Sequence, residues 1–496
     1  MSSFRFKLVI PLIALLASGC AGTMRSYDSE LKQTVGMASS GRVDQALQDL
    51  ENNNSGAGKD LLYFLEKGEL LRLNSQLPES RDAWLQADEK VKIWEEEAKT
   101  SPEKLIGNIG SVLINDKTRR YDGQDYEKVM LSTRLALDHL ALWNWDAART
   151  EIKKTHEREA IIAELRAKEI ANVEQESRQR NVKTEVKDLK GYPVETLDDP
   201  EVTALKNGYQ SAFSHYLAGF VYEALNEPSL AAPGYRKALE LRPDIKWLEE
   251  GLRGLESRRR LKHNESDVLF VVEAGSAPAR SSVTIPIPVP YRNTWGAVPI
   301  SFPVIRPDKS IFLPAQLNVG GRAAVAMHPV TNIDAMARRA LKDDMPGIVL
   351  RGTIRAITKT VAQKQAADRG VALGILATIG AVVTESADER VWRTLPSHIL
   401  IGRATLPAGR YTIGVSGPFG VKTVTADVAG KHTVIPLRLM GNALYLTQPQ
   451  YPQQMPVVAE SVSVEPVVAK ESDASKPAAN KKSVKQKSKP TSGATP

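Results

Sequence analysis

Two hydropathy rhythms divide the chain. From about Ser26 to Arg259, Ala and Leu return every three or four residues among Glu, Lys and Arg, the spacing that lines one face of a helix. From about His263, β-branched and alternating runs take over, beginning with "DVLFVVEAG" at Asp267 to Gly275. The pattern predicts an α+β multidomain chain: an all-α helical solenoid over 20–262 and a mixed α/β domain over 263–447, after a leader at 1–19 and before a tail at 448–496. Within the second half, Pro286, Pro288 and Pro290 predict an edge or extended segment, because proline brings no N–H to a sheet ladder. "TNIDAMARRALKDDMP" predicts a short helix from Thr331 that Pro346 stops, and a second helix is expected from Ile348 to Ala366. Gly370 to Val383 is the most apolar stretch after the leader, yet as a helix it rises only about 21 Å, short of a bilayer, so it reads as a buried core helix. Gly370, Gly374 and Gly380 would let that helix pack closely, within the fold or between subunits. The last strands, separated by "PAG", "SGPFG", "AGK" and "MGN", predict a small antiparallel sheet or sandwich, and the Pro-, Ser-, Ala- and Lys-rich tail predicts disorder.

The clearest unit in the helical half is Ala212 to Ile245, "AFSHYLAGFVYEALNEPSLAAPGYRKALELRPDI". Ala218, Gly219, Tyr222, Ala231, Tyr235, Ala238 and Pro243 fall at the positions of small, aromatic and helix-ending residues in a tetratricopeptide (TPR) repeat, which the segment resembles. Small residues admit a close helix pair, the tyrosines fill the gap, and Pro243 ends the second helix. His215 stands where the repeat has tryptophan. Weaker copies lie at Tyr63 to Glu89 and Leu135 to Ile152, with a further helix at Gly41 to Glu51; each is open to reading as a plain helical hairpin. Thr150 to Lys190 is dense in both charges and predicts a long, solvated, projecting helix.

The N-terminus changes the picture of where the chain works. Arg5 and Lys7 precede ten apolar residues, Leu8 to Ala17, and then Ser18, Gly19 and Cys20, the anatomy of a secretory leader too short to remain as an anchor. The small pair before Cys20 resembles a bacterial lipobox, which implies diacylglycerol on the thiol and a further acyl chain, such as palmitate, on the freed amine. An ordinary cleaved leader is the other reading. Ala21 follows, so delivery to the outer membrane is the expectation, and the sole cysteine leaves none for a disulfide within the monomer. The net charge of +8 is concentrated at the end, where seven lysines from Lys470 onward face only Glu471 and Asp473. Most of the excess charge therefore lies in a tail, which an anionic envelope polymer would suit.

Catalytic chemistry is sparse. The seven histidines are scattered, and no zinc, Walker or nucleophile-elbow motif occurs, so the reading is a non-enzyme with no metal, cofactor or small-molecule substrate. Two carboxylates far apart in sequence would escape such a search. Arg351, Arg355 and Lys359, four apart, place three cations on one helix face, either a solvent face or partner groove or a site for an anion or acidic partner.

Two further stretches resemble one family of bacterial lipoproteins with TPR-like helices and an all but uncharacterised C-terminal domain. Its Ala-Asp-x-Arg-x-Trp-x-x-Leu-Pro pattern is matched by Ala387, Asp388, Arg390, Trp392, Leu395 and Pro396, and its Gly-x-x-Tyr/Phe-Glu pattern by Gly123, Tyr126 and Glu127. A Gly-Asp turn common between its helices is replaced by Asn144 and Trp145. The resemblance implies no established activity; genes of the family often lie beside outer-membrane lipoprotein activators of penicillin-binding proteins. Asp388 and Arg390 near Trp392 predict a buried ion pair that pins a loop onto a core, or else a groove. The functional expectation is a lipid-anchored outer-membrane protein on the periplasmic face that docks an envelope protein as a scaffold or assembly factor. The alternatives are a binder of peptidoglycan or another anionic polymer, and an oligomeric export component that inserts Gly370 to Val383.

Overall fold

Apolar positions at helical spacing fold into four successive helical hairpins: α1 (Tyr27–Ser39) with α2 (Val43–Asn53), α3 (Leu61–Leu73) with α4 (Leu77–Thr100), α5 (Asp125–Ala141) with α6 (Trp145–Arg180), and α7 (Ala212–Ala224) with α8 (Pro228–Leu241). A last helix, α9 (Glu249–Ser257), follows. The computed structural model describes residues 27–56, 58–106, 120–257, 261–291, 294–321, 323–368 and 387–448. The leader with Cys20, the apolar 370–383 segment and the tail lie outside the described residues.

Each hairpin turns over three residues, and the middle one takes a positive φ: Gly41 at 85°, Ser75 at 60°, Trp143 at 59° and Asn226 at 60°. The same two backbone bonds close every turn. The middle N–H donates three residues back, as from Ser75 to Arg72, and the next N–H donates five back, as from Gln76 to Leu71. This is the Schellman closure, which satisfies the last carbonyls of the first helix. The turn after α5 keeps this geometry with Trp143 in the left-handed position, while Asn144 caps α6 by accepting from the Ala147 N–H at 3.1 Å. The charged Thr150 to Lys190 stretch is not a separate projecting helix. It continues α6, which starts at Trp145, ends at Arg180 and buries Arg158, Ile162 and Val173.

The second half begins with β1 (Glu265–Ala274) and continues through a long hairpin, β2 (Arg280–Tyr291) and β3 (Thr294–Ile305). Three short strands follow, β4 (Gln316–Val319), β5 (Ala323–Ala326) and β6 (His328–Asn332), and then helix α10 (Ile333–Asp368). The chain closes with β7 (His398–Pro407), β8 (Gly409–Gly417), β9 (Gly420–Val428), β10 (His432–Met440) and β11 (Ala443–Leu446). A five-stranded sheet has the order β11-β10-β1-β7-β6 and packs on a four-stranded sheet of order β5-β4-β8-β9. The closing strands therefore do not make a sheet of their own. β10 pairs parallel to β1, with Asp267 opposite His432, and the five-stranded sheet is mixed.

β1 is buried on both faces, which explains its nearly unbroken apolar run. Val268, Phe270 and Val272 point into the core between the sheets, whereas Leu269 and Val271 join the core shared with the helices. Helices and sheets thus form one compact unit, and the 262/263 boundary marks a change of element type within it. α10 runs through Pro346 instead of stopping there. Met345, Ile348 and Val349 are buried on either side of the proline and carry the helix across the missing hydrogen bond. Its later turns lie on the β2–β3 hairpin, where a Cβ on Gly352 would stand 3.1 Å from Ile300.

The face of the sheet that meets the helices is charged. Arg72 donates to Asp138 at 2.9 Å and to Glu273 at 2.8 Å, and Arg134 pairs with Glu69 at 2.6 Å and also with Glu273. Arg438 on β10 lies 3.5 Å from Glu69 and donates to the carbonyls of Glu273 and Thr394, each at 3.0 Å. Three guanidiniums balance three carboxylates, and all six side chains are fully buried. Burial drives Arg134 down to about 9 and raises Asp138 to about 6, so the cluster holds its charges only through mutual contact.

Two outcomes follow. Ser75 is exposed and holds a left-handed backbone that costs a side-chain-bearing residue about 1 kcal/mol, so Ser75→Gly is expected to raise unfolding stability by about that amount in urea titration. Glu273→Gln leaves three buried guanidiniums against two carboxylates and is expected to cost about 3–5 kcal/mol in the same assay, with helix and sheet signals lost together.

Candidate functional site

The two family-like motifs, far apart in sequence, meet in space. Glu127, on the first turn of α5, is fully buried; its carboxylate accepts from the backbone N–H of Trp392 at 2.7 Å and of Gln124 at 2.9 Å, and from the Tyr121 hydroxyl at 2.5 Å. The bond to Gln124 is half of a capping box at the start of α5. Glu66 of α3 does the same for the next residues, accepting from the N–H groups of Arg393 at 2.5 Å and Thr394 at 3.0 Å. Its burial raises the carboxyl to about 7, against the lowering effect of those bonds.

Asp388 and Arg390 form a two-pronged ion pair, 2.8 Å on each prong, with the guanidinium 5.1 Å from the centre of the Tyr121 ring. Trp392 is fully buried, packs edge-on to Trp84 at 6.0 Å and donates its indole N–H to Thr394 at 3.1 Å. Leu395 and Pro396 are buried behind it. The motif therefore pins an irregular segment into the seam between helices and sheet. Sequence reasoning singled out Glu127 but missed Glu66, Glu69, Arg72, Arg134, Glu273 and Arg438. A signal was present: Glu66, Glu69 and Arg72 recur every three residues on an otherwise leucine-rich helix, and Asp267 and Glu273 share one face of an apolar strand.

The three cations of α10 are not one exposed face. Arg355 is 2% exposed, and Arg351 is half-buried on the wall of a cavity of about 200 Å³. The side chain of Lys359 lies outside the described residues. In the Ala212–Ile245 hairpin, Ala218, Ala231, Tyr235 and Ala238 are fully buried and Tyr222 nearly so. A Cβ on Gly219 would stand 2.6 Å from the Tyr235 ring, and one on Gly234 would stand 2.7 Å from the Gly219 nitrogen, so the two helices touch through glycine. Pro243 follows α8 by two residues.

Glu223, Asp267 and His432 bring three potential metal-binding atoms within 4.8 Å of one another. Arg403 already fills that role. Its guanidinium lies 2.5 Å from Asp267 and 3.0 Å from Glu223, so a fixed cation occupies the space between the carboxylates and ties α7 to β1 and β7. A second cavity, about 590 Å³, lies beside the edge strand β6; Leu241, Val330 and Met336 are among its walls, and His398 reaches it. No helix among the described residues is long and apolar enough to cross a membrane.

Comparison with known proteins adds little to this geometry. No family model and no curated protein matches the chain. A solved tetratricopeptide repeat protein from Parabacteroides merdae aligns with 47% of this chain and 99% of its own, at 14% identity and a TM-score of 0.13. The four repeated turns are what define the class here: an array of helical hairpins fused to a β-sandwich.

Burial depresses both His398 and His432 to about 4, so they stay neutral in the fold while their unfolded counterparts take up protons below about 6.5. Each therefore contributes stability that is present above about pH 6.5 and lost as pH falls towards 4, up to about 3 kcal/mol per residue. Glu66 has the opposite sign, since its raised carboxyl favours the fold below about 4.5 and loses that contribution as pH rises through 7. The histidine share is thus a difference: His398→Gln with His432→Gln is expected to lessen the loss of stability from pH 7 to pH 4 by several kcal/mol in paired urea titrations.

Proposed function

We propose that the chain is a lipid-anchored envelope scaffold, held to the outer membrane through Cys20 and docking a protein partner on the outward faces of its helical hairpins. The observation that carries this reading is the burial of the first helix of each inner hairpin. In α5 all but one residue is buried, and α3 and α7 are buried along most of their length, under the chain's own sheet and the Trp392 segment. An array whose inner helices are already covered in this way offers its second helices to a partner. On α4 and α8, Leu85, Ile93 and Leu230 are exposed apolar side chains on those outward surfaces.

The polymer-binding alternative loses one of its three α10 cations to the core with Arg355, and retains the lysine tail.

Deleting Ala212 to Ile245 would open the core, so the test must leave the fold intact. A photoreactive amino acid at Ile93 or Leu230 in the full chain is expected to capture the same envelope protein from living cells, with capture lost in Cys20→Ser. Metabolic labelling with an alkyne fatty acid checks the anchor separately. Absence of any shared adduct at these positions would overturn the scaffold reading, and absence of label on Cys20 would overturn the lipid anchor.

A further inference from the structure

We propose that the cavity of about 200 Å³ between α5, α6, α10 and the start of β2 is a carboxylate-binding site built around Arg280. The site stands apart from the scaffold reading and does not depend on it.

Arg166 is met by Asp125 at 2.5 Å and Glu169 at 2.9 Å, and Lys128 by Asp125 at 3.1 Å. Asp388 is taken up by Arg390. Arg280 differs. It is 6% exposed, its Nε has no hydrogen-bond partner, and no ion pair joins it to a carboxylate among the described residues. A guanidinium is a cation, and the Nε of this one is buried with no acceptor among the described residues. Such a group is strongly unfavourable unless an anion reaches it.

The cavity provides the room for that anion. Its volume is below the roughly 300 Å³ of pockets that enclose whole drug-sized ligands, so it suits the acidic end of a larger molecule. A planar carboxylate matches the two-pronged donor geometry of Arg280. The carboxylates of Asp125, Asp344 and Asp388 share the wall and disfavour a multiply charged phosphate. Trp94 adds an apolar side to the same chamber. The ligand is therefore a singly charged carboxylate, from a peptide or from a sugar acid.

The test is thermal unfolding of the full chain with acetate, N-acetylalanine or glucuronate, against sodium chloride of equal ionic strength and against phosphate. Wild type is expected to show a saturable rise in Tm with at least one carboxylate; N-acetylalanine acting alone points to a peptide source and glucuronate alone to a sugar acid. Arg280→Met is expected to lose the rise while being at least as stable as wild type without ligand, because it removes an unpaired buried charge. Arg280→Lys, which keeps the charge and loses the fork, is expected to weaken the response by about tenfold or more. The proposal is overturned by no saturable rise with any carboxylate, by a rise that survives in Arg280→Met, by a response to phosphate alone, or by an Arg280→Met protein less stable than wild type without ligand.

Discussion

A neutral cluster of six buried charges at the seam between helices and sheet is the constraint around which the molecule is arranged. Arg72 and Arg134 reach from two different hairpins to the same Glu273 on β1, and Arg438 reaches from β10 to Glu69 on α3. Burying charge is tolerable only when each ion meets its partners in a fixed geometry. The hairpins and the sheet must therefore dock in one register. Apolar packing alone would permit sliding; the ion network does not, because a displaced guanidinium would be left buried and alone.

The same requirement explains the two lone carboxylates beside it. Among the described residues no ion pair within 4 Å holds Glu66 or Glu127, and they accept instead from the backbone N–H groups of Trp392, Arg393 and Thr394. Backbone that enters no helix or strand must find acceptors when buried, and buried carboxylates must find donors. Each solves the other's problem. A segment of irregular chain becomes as fixed as a strand, and it blocks the surface that an open helical array would leave to a ligand.

Much of this was readable from residue order, and the rest was not for definable reasons. The helices follow from apolar periodicity, and the closeness of α7 and α8 follows from Gly219 and Gly234. The repeated turn was hidden because its left-handed position is filled by Gly41, Ser75, Trp143 and Asn226, four residues with no shared chemistry. Pro346 misled because burial on both sides outweighs one lost hydrogen bond. The α10 arginines misled because four-residue spacing reports a shared face and says nothing of what covers it. Asp388, Arg390 and Trp392 left a pinned loop and a groove both open to reading, because the anchors of this segment on α3 and α5 lie some 260 to 330 residues away, beyond what spacing can show.

The β2–β3 hairpin stands as a two-stranded sheet of its own, and its prolines alternate. Pro286, Pro288 and Pro290 all remove donors from one rim of β2, while Pro299 and Pro303, opposite Pro286 and Ser282, remove donors from the far rim of β3. A free β-ribbon is ordinarily a template on which further strands can grow. Here both growth fronts are interrupted, at every second residue from Pro286 to Pro290 on β2 and at Pro299 and Pro303 on β3. In the language of polymerisation the ribbon is a chain terminator: it can be long, flat and apolar without seeding a fibre.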